Sequence, residues 1–165
     1  MTESDLENWF IAHGAAWTKI EHPPTHRVAD SADLRGALEG SQTKSLLVED
    51  KAGCMTLIVA TGACRVNLKG VARSLDATGR LSFAAPDRLM DSLGVTPGNA
   101  TPLALPRDEN HLIANVVLDE QLFEHPPLWC HPLRNTASVS LAPDALVAFI
   151  TEHHSVPHIL SVATA

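Results

Sequence analysis

Lys44-Ser45-Leu46-Leu47-Val48-Glu49-Asp50-Lys51-Ala52-Gly53-Cys54-Met55-Thr56-Leu57-Ile58-Val59-Ala60 is the stretch that decides the fold class. Two apolar, β-branched runs, Lys44–Glu49 and Cys54–Ala60, flank the turn-like Asp50-Lys51-Ala52-Gly53. Aspartate bonds nearby backbone N–H groups, and glycine accepts the positive φ that a reversal needs. Such runs around such a turn read as a β-hairpin. A hairpin pairs its strands antiparallel, whereas parallel neighbours need a long crossover. Farther on, Leu103–Leu105 and Leu112–Leu118 flank the polar Arg107-Asp108-Glu109-Asn110 and predict a second hairpin.

Helical patterns surround these strands. Ser4-Asp5-Leu6-Glu7 has capping-box spacing, Leu6, Phe10 and Ile11 share a helical face, and Gly14 ends the run. Trp17–Ile20 reads as a short strand closed by Pro23-Pro24, and Asp30–Leu38 as a helix with Gly40 beyond it. Asn67–Leu75 is a capped helix, Pro86 fits the first turn of another that ends near Gly94, and Pro143 opens a last one through about His153. Thr136–Leu141 alternates as a half-buried strand does, and His158–Val162 reads as a closing strand. Hairpins mixed with helices favour an α+β fold over a doubly wound sheet. The expectation is one domain over residues 1–165: a mixed, largely antiparallel sheet flanked by helices. There are no repeats, linkers or low-complexity stretches.

A chain of 165 residues can bury a sizeable core. Only 4% of it is aromatic, so Leu, Val, Ile and Ala must build that core. No apolar run approaches the ~20 residues that span a bilayer. The N-terminus Met1-Thr2-Glu3-Ser4-Asp5 is acidic and lacks the basic-then-apolar signal pattern. A cytoplasmic location and no membrane partner are expected. Cys54, Cys64 and Cys130 are odd in number and irregularly spaced, which implies no disulfide framework. The net charge of −7 argues against a nonspecific nucleic-acid binder. It leaves room for a protein that grips only an RNA end through a local patch, for which Lys44, Lys51, Arg65, Lys69, Arg73 and Arg134 are available. For most of these the plainer reading is a scattered, solvated surface.

Three stretches carry chemistry. The first is Gly94-Val95-Thr96-Pro97-Gly98-Asn99-Ala100-Thr101-Pro102. Two glycines and two prolines among small residues can present backbone N–H groups to an anion or a polarised carbonyl. The same residues also suit a helix end followed by a turn. The second is Gln42-Thr43-Lys44-Ser45-Leu46-Leu47, where Lys44 is either a solvated edge charge or an ammonium that binds phosphate or polarises a carbonyl. Ser45 points to the opposite face from Lys44 in a regular strand. No Gly-x-Ser-x-Gly elbow surrounds it, which rejects a covalent serine hydrolase. The third is Cys130-His131-Pro132-Leu133-Arg134-Asn135. His131 is a half-buried histidine at a strand end or a site residue, and Asn135 either caps a turn or bonds substrate. Zinc sites want several closely spaced ligands, which this pattern lacks, so no metal and no cofactor are expected. His22, His26 and His125 read as surface residues, and Asp119 and Glu120 as solvated turn carboxylates.

In their order and spacing these stretches resemble the prolyl-tRNA editing domain family, the YbaK-like aminoacyl-tRNA deacylases. The family's lysine segment resembles Thr43-Lys44-Ser45-Leu46, its Gly-x-x-x-Pro loop Gly98–Pro102, and its His-Pro-Leu-x-Asn segment His131–Asn135. Glu21-His22-Pro23-Pro24 and Arg80-Leu81-Ser82-Phe83-Ala84 are similar to family segments too, and the likeness runs from about residue 15 to 160. One departure stands out: the free-standing alanyl-tRNA(Pro) deacylases usually carry asparagine where this chain has Ser45.

The resemblance implies trans-acting hydrolysis of the ester that joins a mischarged amino acid to tRNA(Pro), with alanine as the first expectation. Its partner would be the aminoacyl-tRNA 3′ end, with prolyl-tRNA synthetase as a second. The resemblance makes Lys44, Gly98, Asn99, Ala100 and Thr101 the catalytic set and Ser45, Pro102, His131 and Asn135 the substrate-binding set. Two other readings stay open. One is a noncatalytic aminoacyl-tRNA or nucleotide-binding module of the same fold; the other is a small metal-dependent hydrolase.

Overall fold

A computed structural model describes residues 1–24 and 38–164. In chain order its elements are α1 (Glu3–Ala12), β1 (Trp17–Glu21), β2 (Ser41–Glu49), β3 (Met55–Thr61) and α2 (Leu68–Ser74). They continue with β4 (Ser82–Phe83), α3 (Pro86–Leu93), β5 (Ile113–Asp119), β6 (Leu128–Cys130), β7 (Ala137–Leu141), α4 (Pro143–His153) and β8 (His158–Leu160). The helix expected at 30–38 falls almost wholly outside the described residues.

The expected hairpin is the centre of the sheet. β2 and β3 pair antiparallel from Thr43↔Thr61 to Glu49↔Met55. Asp50 pins the turn: its carboxylate accepts from the amides of Ala52 and Cys54 at 2.9 Å each, and from Thr78 at 2.9 Å. These backbone donors, Thr78 first, hold its carboxyl below the ordinary range. Arg88 of α3 then clamps the hairpin end through Glu49 Oε2 (3.2 Å) and the Gly53 carbonyl (3.0 Å).

The strand order is β1-β7-β6-β2-β3-β5-β8, with β4 beside β2. Four pairings are antiparallel (β1/β7, β6/β7, β2/β3, β2/β4) and three parallel (β2/β6, β3/β5, β5/β8). The sheet is thus mixed and largely antiparallel, with long crossovers after β3 and β5. Side-chain alternation divides the core in two. Leu47, Met55, Leu57 and Val59 face α1, α3, α4 and residues 103–105. Val48, Ile58, Ala60 and Val117 face α2, Leu81 and Val162. With both faces covered, β3 is buried from Met55 to Ala60 and apolar there except for Thr56.

Several expectations are corrected. Leu103–Leu105 is not a hairpin strand: Pro102–Arg107 forms a buried 3₁₀ segment. Pro102 and Pro106 fix φ and remove ladder donors, and Thr101 caps the segment through the Leu103 amide. β5 pairs instead with β3 and β8. The capping box of α1 is Thr2 with Asp5, not Ser4 with Glu7, and Glu7 reaches Lys19 Nζ at 2.5 Å. Ile11 is exposed, and Trp9 joins Leu6 and Phe10 in the core. β7 is buried along its whole length because Ser138 and Ser140 find internal partners, His22 Nε2 and the Thr18 amide.

Candidate active site

The loop after α3 is built by its glycines and prolines. Gly94 takes the left-handed conformation that ends the helix. In Thr96-Pro97-Gly98-Asn99 the Asn99 amide donates to the Thr96 carbonyl at 3.1 Å, and Gly98 has φ +87°. Proline followed by a positive-φ glycine is the pattern of a type II turn. Asn99 Nδ2 also donates to Thr96 Oγ1 at 2.8 Å. Gly98 is exposed, Asn99 and Ala100 are half-buried, and Thr101 and Pro102 are buried. Thr101 and Pro102 therefore form the base of the loop, not its open face. The Thr101 hydroxyl donates to the His131 carbonyl at 2.8 Å and ties the loop to the His131–Asn135 segment.

His131 follows β6. Its Nδ1 lies 3.1 Å from the Ala137 carbonyl, which can only accept, so Nδ1 carries the proton and Nε2 keeps a lone pair. Burial, the largest cause, lowers the His131 pKa and favours neutral imidazole; the Ala137 hydrogen bond opposes this and the nearby His22 adds to it. His22 is not a surface residue, as expected, but half-buried. Its ring centre lies 6.3 Å from that of His131, its Nδ1 faces the Pro23 carbonyl (2.8 Å), and its Nε2 faces Ser138 Oγ (2.9 Å). Leu133 holds φ +74°, a conformation uncommon for a bulky residue. Asn135 is half-buried.

Arg134 is engaged in ion pairs within the fold. It binds Glu3 of α1 through Nε and Nη2 (2.8 and 3.0 Å), Glu21 of β1 through Nη1 and Nη2 (2.7 and 2.6 Å), and Thr136 Oγ1 (2.7 Å). The guanidinium holds Glu3 and Glu21 below their ordinary values. Its position beside Glu3 was hidden by a separation of 131 residues.

Lys44 is half-buried near the start of β2. Thr43, its neighbour, turns to the other face and donates to the Trp129 carbonyl at 2.8 Å, within 3.5 Å of Cys130 Sγ. Ser45 shares the face of Thr43 and Leu47, and Ala100 packs against the core cluster to which Leu47 belongs. Lys44 shares the face of Leu46 and Val48, and its ammonium donates to the Cys64 carbonyl. The loop is tied to His131 and packs toward the core layer that Ser45 faces, whereas Lys44 is directed to the other layer. Beside Cys64 lies Asp119, which is no solvated turn carboxylate: it is 0% exposed. Burial first, then the Asp119 charge, push the Cys64 thiol above its ordinary value, while Lys44 pulls it down. A single carboxylate at a strand end leaves no sequence signal of its burial.

Two of the remaining candidate cations meet. Lys69 and Arg73 of α2, with Arg80 and Asp76, line an open cleft of about 650 Å³. Among the described residues, no three His, Cys, Asp or Glu are placed to hold a metal ion. No helix among them is long and apolar enough to cross a membrane.

Comparison with known proteins adds a family to this geometry. Residues 22–149 match the model of the aminoacyl-tRNA editing domain. A prolyl-tRNA synthetase associated domain-containing protein 1 from Danio rerio is 31% identical over 159 residues, covering 95% of this chain and 85% of its own. The prolyl-tRNA editing protein ProX of Acetoanaerobium sticklandii is 30% identical over 127 residues, 76% of each chain. Among solved structures, one provisionally described as a trans-editing enzyme for prolyl-tRNA synthetase superposes with a TM-score of 0.75. At 22% identity, covering 99% of this chain and 94% of that one, it supports the fold alone.

Proposed function

The chain belongs to the aminoacyl-tRNA editing domain family, and from that premise we propose that it hydrolyses, in trans, the ester of a mischarged tRNA(Pro), with alanyl-tRNA(Pro) as the leading substrate. The observation that carries this reading is the Thr101–His131 hydrogen bond, which joins the glycine loop to the histidine segment. An aminoacyl ester is already activated, so the main demand is stabilisation of the oxyanion formed as water attacks. Asn99 spends its amide on the turn. Gly98 and Ala100 are then the loop amides proposed to face that charge; Thr101, buried at the base of the loop, holds the loop to His131. Lys44, on the opposite face of β2 from the loop, is assigned to a substrate phosphate and not to the oxyanion; its three protons let it keep the Cys64 carbonyl and still donate. His131, neutral with Nε2 unprotonated, and Asn135 contact the aminoacyl or terminal nucleotide group. The neighbouring ribose hydroxyl orients the water, so a dedicated protein base is not required.

A pocket sized for alanine excludes proline by bulk, whereas a synthetase pocket built for proline rejects smaller residues weakly, by about 1–3 kcal/mol per methylene. The Lys69–Arg73–Arg80 cleft is a candidate surface for tRNA phosphates, and prolyl-tRNA synthetase a candidate partner. The test is release of amino acid from alanyl-, seryl-, 2-aminobutyryl- and prolyl-tRNA(Pro) under single turnover. Lys44→Ala is expected to slow release by about 10²–10³-fold while the fold persists. A near-wild-type rate would remove Lys44 from the site. The contact between Lys44 and the Cys64 carbonyl favours one second reading, a noncatalytic binding module, which predicts tRNA binding without release.

A further inference from the structure

We propose that Asp119 is a positioning residue for Lys44, its buried carboxylate supplying the counter-charge that holds the ammonium at Cys64. Asp119 closes β5 and is 0% exposed. Its Oδ1 accepts from the amides of Gln121 (3.5 Å) and Val162 (3.4 Å), both long for N–H···O bonds. Its Oδ2 is buried with no N–H or O–H donor among the described residues, and the carboxylate meets instead the Cys64 thiol, a weak donor. A turn cap needs neither burial nor a second oxygen. A buried carboxylate that meets only long or weak donors is costly unless a cation compensates it.

The sheet register identifies that cation. Val59 pairs with Leu118, which places Asp119 beside Ala60, and Ala60 pairs with Lys44. Asp119 alternates with Leu118 and so shares the face of Val117, the face of Ala60 and Leu46. Lys44 and Asp119 therefore flank Ala60 on one face. Cys64 occupies that side of the sheet, and its thiol responds to both charges in opposite directions. Its carbonyl receives the ammonium. A four-carbon side chain with this anchor and this counter-charge is confined before substrate arrives, which is the requirement for an electrostatic catalyst.

The test is a double-mutant cycle with Asp119→Asn and Lys44→Met, read by urea unfolding and by single-turnover deacylation. Asparagine keeps an acceptor for Gln121 and Val162. Only the activity arm rests on the function proposed above. In that arm Asp119→Asn is expected to lower the single-turnover rate constant at saturating enzyme by about 10–100-fold, with the half-saturating enzyme concentration little changed. It should have no further effect once Lys44 is Met. In the stability arm Lys44→Met, which strands the buried carboxylate, should lower the urea midpoint, and adding Asp119→Asn should restore part of the loss. Additive effects in the stability arm would overturn the proposal, leaving Asp119 a cap. If the wild type lacks deacylase activity, the function fails and the stability arm alone decides. If Asp119→Asn fails to fold by itself, folding of the double variant supports the coupling, and failure of both variants overturns it.

Discussion

Replacing Thr101 with valine tests the joint on which the site rests. Thr101 is 1% exposed, its hydroxyl donates to the His131 carbonyl at 2.8 Å and accepts from the Leu103 amide at 3.3 Å. Valine has nearly the same shape, so it opens no cavity and leaves both partners without the hydroxyl. A buried polar group deprived of its partner costs about 1–3 kcal/mol. The 3.3 Å contact is the weaker of the two, which places the sum at about 2–4 kcal/mol. For a domain of this size each kcal/mol lowers Tm by about 2–4 °C, so a fall of roughly 5–15 °C is expected. Urea unfolding followed by the fluorescence of Trp9, Trp17 and Trp129 gives the free energy directly. Thr101→Ser keeps the hydroxyl and should retain most of the stability. Deacylation by the valine variant should fall below what its folded fraction explains, because the glycine loop is no longer tied to His131. A valine variant within about 0.5 kcal/mol of wild type, an ordinary value for a neutral surface change, would refute the reasoning.

Gly98→Val places a β-branched residue at φ +87°, with a strain of about 1–3 kcal/mol, and should damage single-turnover activity more than Asn99→Ala. Full activity would make this loop a helix terminator only. Ser45→Asn should shift preference toward alanine over serine and 2-aminobutyrate, by no more than roughly 10–200-fold; an unchanged ranking of the four aminoacyl-tRNAs would mean residue 45 does not set specificity. The folded pKa values of Glu3 and Glu21 lie below the ordinary 4.5 because of Arg134. Their contribution to stability is therefore complete above about pH 4.5 and is lost as pH falls through the lower folded values. Urea midpoints measured from pH 6 to pH 3 should fall less steeply in Glu3→Gln/Glu21→Gln than in wild type; equal slopes would deny the Arg134 clasp this role.

Local chemistry was readable wherever a residue's role depends on its near neighbours. The hairpin at 44–60, the Gly14 and Gly94 helix ends, and the proline starts at Pro86 and Pro143 all follow from backbone rules within a few positions. The second hairpin misread Leu103–Leu105 because three apolar residues fit a strand and a buried 3₁₀ turn equally well. Pro102 and Pro106 were the signals against it. Asp119 and His22 were misread for another reason: a carboxylate or imidazole in a loop looks the same in sequence whether water or a second strand lies over it.

By itself, the sequence determined the mixture of helices and hairpins, the ordered motifs at Lys44, Gly98 and His131, and through them the family. Those features need only short-range backbone preference and residue type. The tertiary structure alone decided that β3 and β5 run parallel, that Arg134 is paired with Glu3 and Glu21, and that the Lys44 ammonium is turned to the Cys64 carbonyl. Each of these depends on residues far apart in the chain, and on which face of a strand is covered, and alternation along one strand cannot say what a different strand will bring to it.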